Sequence, residues 1–297
     1  MTTNADLHCH TTASDGTLSP LQLYHRARDK GVEMLAITDH DSVEAHRFLS
    51  SQKLDGPQLI TGMELSTTWS GVEIHVVGLN FPLDHPDLST VIETQNTARK
   101  NRSVHIAGKL VKQLKLPLSR EALYQEIVEL ALGRQKQNDD GFTLSETSIQ
   151  TGRPHFAAWL TDKGYCKDAN DAFNRYLGNR QLGNLRAFWP AMSQGVAWIR
   201  ALGGSAVLAH PAKYKMTRTK LRALVKDFKI AGGHALEVTG SIQPPGQAES
   251  LAKLCLDFDL KASRGSDFHS PHNQWVEIGK LAPLPSGLTP VWDKWVA

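Results

Sequence analysis

The chain has 297 residues, 40% of them hydrophobic, and its 33 Lys and Arg residues nearly balance 30 Asp and Glu residues, leaving a net charge of +3. This length and apolar content suffice to bury a large core, in one domain with an insertion or in two domains, and no apolar stretch approaches the roughly 20 residues that span a bilayer. The N-terminus has no charged leader before an apolar segment and the three cysteines are scattered, so we predict a cytoplasmic protein with reduced thiols and no membrane contact.

The first element is predicted to be a β-strand over residues 5–10, which read Ala-Asp-Leu-His-Cys-His. Because side chains alternate between the two faces of a strand, His8 and His10 would point to the same side. Two adjacent imidazoles provide half of the coordination shell of a transition metal. A turn-rich loop with Asp15 follows, and the Ser-Pro pair after it is typical of a helix start, which predicts a helix over residues 19–30.

Strand and helix alternate along the rest of the chain, apart from one long interval. Seven strands are predicted, at residues 5–10, 34–38, 58–61, 72–79, 205–209, 234–238 and 261–265. Helices are predicted at residues 19–30, 42–52, 195–202, 218–231 and 247–258. This alternation predicts the α/β class and favours a barrel of seven parallel strands, with an open doubly wound sheet as the alternative.

Residues of the types that bind metals lie on these strands or directly follow them. The nine candidates are His8, His10, Asp15, His40, Glu64, His75, His210, Asp267 and His269. In a closed barrel the carboxyl ends of parallel strands converge on one mouth, whereas an open sheet brings ligands together at a single crevice. Candidate ligands from at least five strands therefore favour a closed barrel over an open sheet, and they predict a metal centre at the mouth of the barrel.

The long interval reads as a helical insertion. Its helices are predicted at residues 90–114, 119–132, 153–163 and 168–177. We therefore divide the chain into a first barrel part, the insertion and a second barrel part, at residues 1–92, 93–190 and 191–297. The insertion has 15 Lys and Arg residues against 10 Asp and Glu residues. As a basic cap over the mouth it would attract a polyanionic substrate, although a solvated helical surface carries a similar charge.

Six motifs follow one another in an order that resembles a known family. They are D-L-H-C-H-T at 6–11, T-D-H-D at 38–41, G-M-E at 62–64, H at 75, A-H-P at 209–211 and S-D-F-H at 266–269. Together they resemble the PHP (polymerase and histidinol phosphatase) phosphoesterase family. More narrowly, they are similar to its branch of nucleoside 3′,5′-bisphosphate phosphatases and 5′-to-3′ exoribonucleases.

The resemblance implies a distorted (βα)7 barrel, with the helical insertion over its mouth, and a cluster of three divalent cations. The first cation would bind His8, His10, Glu64 and Asp267, the second Glu64, His75 and His210, and the third Asp15, His40 and His269. Mn²⁺ is expected, and Zn²⁺, Fe²⁺ and Mg²⁺ are alternatives. A single Zn²⁺ already lowers the pKa of bound water to about 7, so a hydroxide that bridges two cations would attack phosphorus directly.

Further residues are predicted to act beside the metals. The catalytic candidates are Asp39, His210 and Asp267. Because Asp39 directly precedes a predicted ligand, we expect it to orient a neighbouring imidazole. A helix N-terminus with basic side chains favours phosphate, and the segment after Gly152 has this form. The candidates for substrate binding are Arg153, His155, Lys163 and Arg180.

The sequence thus predicts a metal-dependent phosphoesterase that acts on nucleotides. By resemblance, it would convert nucleoside 3′,5′-bisphosphates such as pAp to nucleoside 5′-monophosphate and phosphate, and trim short 5′-phosphorylated RNA from its 5′ end. A histidinol phosphatase is one alternative, against which the basic insertion argues. A non-catalytic metal- or nucleic-acid-binding module and a carbon–nitrogen hydrolase are others. The oligomeric state, the preferred base and the general acid stay open.

Overall fold

A computed structural model of the chain describes residues 3–136 and 140–295. They form an α/β fold with two β-sheets. The first sheet has three parallel strands in chain order, β1 (Ala5–Asp6), β2 (Met34–Ala36) and β3 (Gln58–Ile60). The second has five strands in chain order, β4 (Gly62–Trp69), β5 (Val72–Leu79), β6 (Ser205–Leu208), β7 (Ala235–Thr239) and β8 (Lys261–Arg264).

The prediction of seven parallel strands is wrong. The described residues contain eight strands, and β5 runs antiparallel to both β4 and β6, whereas β6, β7 and β8 are parallel. Ser70 and Gly71 connect β4 to β5, and their φ angles of 45° and 70° are typical of a two-residue hairpin turn. A parallel connection needs a dozen or more residues, so this short turn forces the antiparallel pairing. Within the described residues the strands form two sheets rather than one closed barrel.

Backbone hydrogen bonds nevertheless connect the two sheets at both of their shared edges. At one edge, the N–H of Asp267 donates to the carbonyl of His8 at 2.8 Å. Gly265 permits this approach, because a Cβ at its position would lie 2.2 Å from the Cβ of His8. At the other edge, the N–H of Glu64 donates to the carbonyl of Asp39 at 3.2 Å. The segments that follow β1, β2 and β8 therefore lie beside the start of β4.

Helices cover the outer faces of both sheets. The helices outside the insertion are α1 (Pro20–Asp29), α2 (Glu44–Leu49), α8 (Met192–Ala201), α9 (Arg218–Ile230) and α10 (Gln247–Asp257). Helix α1 begins where the sequence predicts, because Ser19 accepts a hydrogen bond from the N–H of Gln22 and the Gln22 side chain accepts one in return. No helix in the described ranges combines the length and the apolar character needed to cross a lipid bilayer.

The chain between β5 and α8 is mainly helical. It contains α3 (Leu88–Leu114), α4 (Arg120–Gln135), α5 (Arg153–Asp162), α6 (Ala169–Ala172) and α7 (Asn179–Leu182), with a π-helix at Phe173–Leu177 and a 3-10 helix at Leu185–Phe188. These helices bury a core of their own that includes Ile106, Leu123, Phe156 and Leu160. A separate core between the two sheets includes Leu7, Met34, Ile60, Val77 and Val207. Burial of each such side chain contributes about 1.5–3 kcal/mol to the free energy of unfolding. The helical insertion and the pair of sheets are therefore each stabilised by a core of their own.

Candidate active site

The predicted metal ligands meet at the rim where the two sheets join. Five imidazoles form a ring in which neighbouring ring centroids are between 4.7 and 5.6 Å apart. In order around the ring they are His8, His10, His40, His75 and His210. Glu64 lies at the centre of this ring, with a carboxylate oxygen at most 3.4 Å from a nitrogen of every imidazole.

The charges at the centre of the ring suit a cation. Glu64 is 1% exposed, and burial alone would raise its pKa. The surrounding imidazoles, with His75 the strongest, instead hold the pKa of Glu64 well below its usual range. Burial opposes protonation of His75, yet the carboxylates of Glu64 and Glu73 raise the pKa of His75 to about 10. An ionised carboxylate that faces several imidazoles is a donor set typical of divalent metal sites.

Asp15 and His269 extend the cluster beside two of the ring imidazoles. The Asp15 carboxylate lies 3.4 Å from Nε2 of His269 and 3.8 Å from both His10 and His40. Burial opposes both charges, but the ion pair raises the pKa of His269 to about 9 and holds the pKa of Asp15 well below its usual range. The Oδ1 atom of Asp15 is buried without a hydrogen-bond partner among the described residues. A bound cation would satisfy this oxygen, which is otherwise costly to bury.

Two of the predicted ligands have left-handed backbone conformations. His210 follows β6 with a φ of 31°, and Asp267 follows β8 with a φ of 53°. Such conformations cost non-glycine residues about 1–3 kcal/mol and persist where the surrounding structure imposes them. Here they accompany side chains that face the cluster, since Nε2 of His210 is 3.1 Å from Glu64 and Oδ1 of Asp267 is 3.3 Å from Nε2 of His10.

Four overlapping groups of donors could each hold a metal ion, because the donor atoms within each group lie within 4.8 Å of one another. They are His10, Asp15, His40 and His269; His8, His10 and Asp267; His8, Glu64 and His210; and His40, Glu64 and His75. The second set implied by the resemblance joins His75 to His210, whereas these groups place His210 with His8 and His75 with His40. The assignment of ligands to individual ions stays a prediction.

Glu237 contacts a predicted metal ligand, and the sequence reasoning missed it. It lies on β7, is 4% exposed, and its Oε2 is 2.6 Å from Nδ1 of His8. A carboxylate on the far nitrogen of a metal-binding imidazole fixes the ring orientation and raises its basicity. The signal was an acidic residue inside the apolar strand Ala235–Thr239, because a buried carboxylate is rarely tolerated without a partner.

We expect Glu237→Gln to weaken metal binding by about 10- to 100-fold, the usual effect of removing such a partner. The side chain keeps its size, so the expected change is in the affinity for Mn²⁺, measured by calorimetric titration of the metal-free protein. Glu249→Gln, at an exposed position in the first turn of α10, is the matched control and should bind Mn²⁺ as the wild type does. Unchanged affinity in Glu237→Gln would show that this contact does not support a metal ligand.

Asp39 holds the loop that follows β1. It accepts hydrogen bonds from the N–H of Thr11 at 2.7 Å, from the Thr11 hydroxyl at 2.6 Å and from the Ser14 hydroxyl at 2.6 Å. Because Oγ of Ser14 is 3.5 Å from Nδ1 of His10, the link from Asp39 to this imidazole passes through Ser14. The predicted contact between Asp39 and an imidazole is therefore indirect, and its catalytic role stays a prediction.

Two cavities separate the cluster from the insertion. The smaller cavity has a volume of about 80 Å³, and Asp15, His40 and His75 line one side of it. Glu73 of β5 and three arginines of the insertion, Arg99, Arg102 and Arg153, also line it. We call this the arginine cavity. It brings cationic side chains of the insertion to the predicted metal ligands.

The arginines of this cavity differ in how fully their charges are paired. Arg99 is buried and forms an ion pair with Asp41, while its guanidinium also donates to the Ser66 hydroxyl at 2.8 Å. Arg102 is 3% exposed and lies 3.6 Å from Glu73, and its Nε atom has no hydrogen-bond partner among the described residues. Burial, together with repulsion from Arg99 and Arg153, lowers the pKa of Arg102 to about 10 against the attraction of Glu73. The Nε atom of Arg102 is therefore available to donate a hydrogen bond to an anion in the cavity.

The larger cavity, of about 320 Å³, lies between the loop after β1 and helices α4 and α5. Arg134 and His155 line it together with Asp15. Nδ1 of His155 accepts a hydrogen bond from the N–H of Gly152 at 3.0 Å, and burial lowers the pKa of His155 to about 4. This imidazole is thus neutral near pH 7 and fixes the start of α5, rather than supplying a positive charge.

Lys163 and Arg180, the other two residues predicted to bind substrate, are exposed elsewhere on the insertion. Lys163 lies at the end of α5, and its Nζ is 3.2 Å from Glu126. Arg180 lies on the short helix α7. Of the four predicted substrate-binding residues, the described structure brings Arg153 and His155 to the two cavities beside the cluster.

Comparison with known proteins identifies similar sequences and structures. A family model described as the PHP domain matches residues 6–133. The chain is 38% identical to the 5′-3′ exoribonuclease of Haemophilus influenzae, over 99% of this chain and 100% of that protein. It is 30% identical to the 3′,5′-nucleoside bisphosphate phosphatase of Chromobacterium violaceum, over 97% of this chain and 95% of that protein. The solved structure of an amidohydrolase from Chromobacterium violaceum, with bound sulfate, has a TM-score of 0.77 and 30% identity and covers 97% of this chain and 94% of that chain.

Proposed function

The chain belongs to the PHP family of metal-dependent phosphoesterases, and from this we propose that it hydrolyses phosphoesters at the 3′ oxygen of nucleotides that carry a 5′-phosphate. The substrates would be nucleoside 3′,5′-bisphosphates such as pAp, and short 5′-phosphorylated RNA trimmed from its 5′ end. Relatives that bear each of these activities in their names match nearly the whole chain. The observation that carries the proposal is the arginine cavity, in which cationic side chains face the predicted metal ligands.

The donor set fits a cluster of divalent cations, for which we propose three ions and Mn²⁺. Its imidazoles and carboxylates, including the unpartnered oxygen of Asp15, would hold them. When bound, the cations would ionise a water molecule and neutralise the charge that develops on the phosphoryl oxygens. Glu64 and Asp267 would keep the donor set anionic, and Glu237 would keep the imidazole of His8 in place.

The sizes of the two cavities under the insertion suit the two parts of a 5′-nucleotide. Ligand pockets for whole small molecules usually measure about 300–1,000 Å³. The arginine cavity, at about 80 Å³, is far smaller and suits a single phosphate group. The neighbouring cavity of about 320 Å³ is large enough for a nucleoside. Arg102 and Arg153 would bind the 5′-phosphate, because guanidinium groups match phosphate geometry with paired hydrogen bonds.

We also infer that the two sheets act together as one distorted α/β barrel, capped by the insertion over residues 93–190. The hydrogen bonds at both sheet edges support this view, since they bring the ligand-bearing segments to one rim. We further propose the cytoplasm as the location, because Cys9, Cys166 and Cys255 are all buried as free thiols.

A small substrate panel tests the proposed function. With Mn²⁺ present, we expect kcat/KM for adenosine 3′,5′-bisphosphate to exceed that for adenosine 3′-monophosphate by about 10²-fold, because the second substrate lacks the 5′-phosphate and its charged hydrogen bonds. Phosphate release gives both values. Histidinol phosphate and RNA with a 5′-hydroxyl complete the panel. Equal rates with and without the 5′-phosphate, or a preference for histidinol phosphate, would overturn the proposal.

A further inference from the structure

A third cavity adjoins the cluster. It is lined by His210 and Asp267, whereas the arginine cavity is lined by His40 and His75. All of its lining residues fall between positions 210 and 276, so no lining residue comes from the insertion. Its volume of about 40 Å³ is too small for a whole nucleotide. We call it the outer cavity.

We propose that the outer cavity and its rim bind the nucleotide that follows the scissile phosphate in an RNA substrate. This inference rests on the proposed function. In RNA, water adds to phosphorus and the P–O3′ bond breaks. The terminal nucleotide is released with its 3′ oxygen, which takes up a proton from the water. The shortened RNA keeps the phosphate as a new 5′-phosphate. The terminal nucleotide occupies the cavities under the insertion, so the rest of the chain must leave the cluster in another direction.

The positively charged side chain of Lys213 lies where the RNA backbone would leave the cluster. Nζ of Lys213 forms an ion pair with Oδ2 of Asp267, whose Oδ1 faces Nε2 of His10 at 3.3 Å. The Lys213 side chain is 57% exposed, so its ammonium group can also reach a group that arrives from solvent. A lysine beside the predicted metals and open to solvent suits a phosphodiester backbone, which carries one negative charge per nucleotide.

One exposed apolar side chain lines the same cavity, and another is the sequence neighbour of a lining residue. The described residues include four large hydrophobic side chains that are strongly exposed: Ile230, Ile242, Leu256 and Trp275. Ile242 lines the outer cavity and is 63% exposed, and Trp275, 80% exposed, directly precedes Val276, another lining residue. Exposed aromatic side chains serve as stacking platforms for unpaired bases in single-stranded nucleic acids. The base of the following nucleotide would therefore stack on Trp275, at the rim of a cavity that holds only its backbone.

The test compares two substrates that differ only in the following nucleoside, pApA and pAp. For Trp275→Ala, we expect the ratio of kcat/KM for pApA to that for pAp to fall by roughly 5- to 150-fold, the range that stacking of one base provides, mainly through a higher KM. Trp275→Phe should restore most of the ratio, since it keeps an aromatic face. Leu256→Ala removes an exposed side chain on α10 and should leave the ratio at the wild-type value.

A dinucleotide whose second position lacks a base provides the decisive control. Wild type and Trp275→Ala should process it equally well, because it offers nothing to stack. The inference is overturned if Trp275→Ala keeps the wild-type ratio, or if it loses activity on the abasic substrate as strongly as on pApA. Failure of the wild type to hydrolyse pAp is a separate result, which would remove the proposed function itself.

Discussion

Glu64→Gln will abolish hydrolysis and reduce the metal content of the protein while the fold is retained. Glu64 is the common neighbour of five imidazoles, all within 3.4 Å of its carboxylate. A neutral amide of the same size removes the negative charge that the cations need. Bound cations contribute several kcal/mol to a phosphoryl-transfer transition state, so we expect kcat to fall by about 10³-fold or more.

Two measurements check this expectation. Elemental analysis after loading with Mn²⁺ gives the number of ions per chain, which we expect to fall, and phosphate release from pAp gives kcat. Circular dichroism and thermal melting show whether the fold is kept. Glu249→Gln, an exposed glutamate on α10, is the matched control and should keep both metal and activity. A Glu64→Gln protein with full metal content and wild-type kcat would contradict a central role for this carboxylate.

The convergence of the candidate donors was predictable from the sequence because these residues follow a local rule. His210 comes two residues after β6 and Asp267 three residues after β8, and parallel strands place such residues at one edge. That rule depends on neighbouring residues only, so it can be applied without a structure. The resemblance of six ordered motifs to the PHP family, which the comparisons confirm, depended on the same local segments.

The strand topology was less predictable, since it depends on one turn. Residues 58–79 contain a short strand and two long ones, and the sequence reasoning assigned only the first and last as strands. Val, Thr and Leu suit strands in either direction, so composition does not reveal that β4 and β5 pair antiparallel. The Ser70-Gly71 turn does reveal it, through two consecutive positive φ angles. The resulting hairpin places Glu64 on β4 and His75 on β5 close to each other.

The sequence could not show which residues far apart in the chain contact each other, nor which charged side chains are buried. Glu237 lies 229 positions from the imidazole it contacts, and no local pattern records that distance. Arg102 belongs to α3, where a charged residue normally implies a solvated helix face, and only the fold shows that it is buried. Lys163 was chosen for its charge, and that charge faces Glu126. Charge alone, without burial, does not separate these two cases.

The substitution Arg102→Gln will slow hydrolysis of substrates that carry a 5′-phosphate and will have little effect on substrates that lack it. We expect kcat/KM for adenosine 3′,5′-bisphosphate to fall by about 10- to 150-fold, because a charged hydrogen bond contributes about 1.5–3 kcal/mol. The value for adenosine 3′-monophosphate should change little, since this substrate has no group in the arginine cavity. The double variant with Arg153→Gln should lose still more on the bisphosphate, by up to about 10³-fold, as it removes both guanidinium groups that would bind the 5′-phosphate.

Arg102 also contributes to packing, so the comparison between substrates is essential. Its guanidinium lies 5.2 Å from the ring centroid of Trp189 and pairs with Glu73, and a variant that disturbs these contacts would lose activity on every substrate. Arg120→Gln, at an exposed position at the start of α4, controls for the loss of a positive charge on the insertion. An equal loss on both substrates would assign Arg102 to structure alone. A loss confined to the bisphosphate would place the 5′-phosphate in the arginine cavity, since the two substrates share every other group.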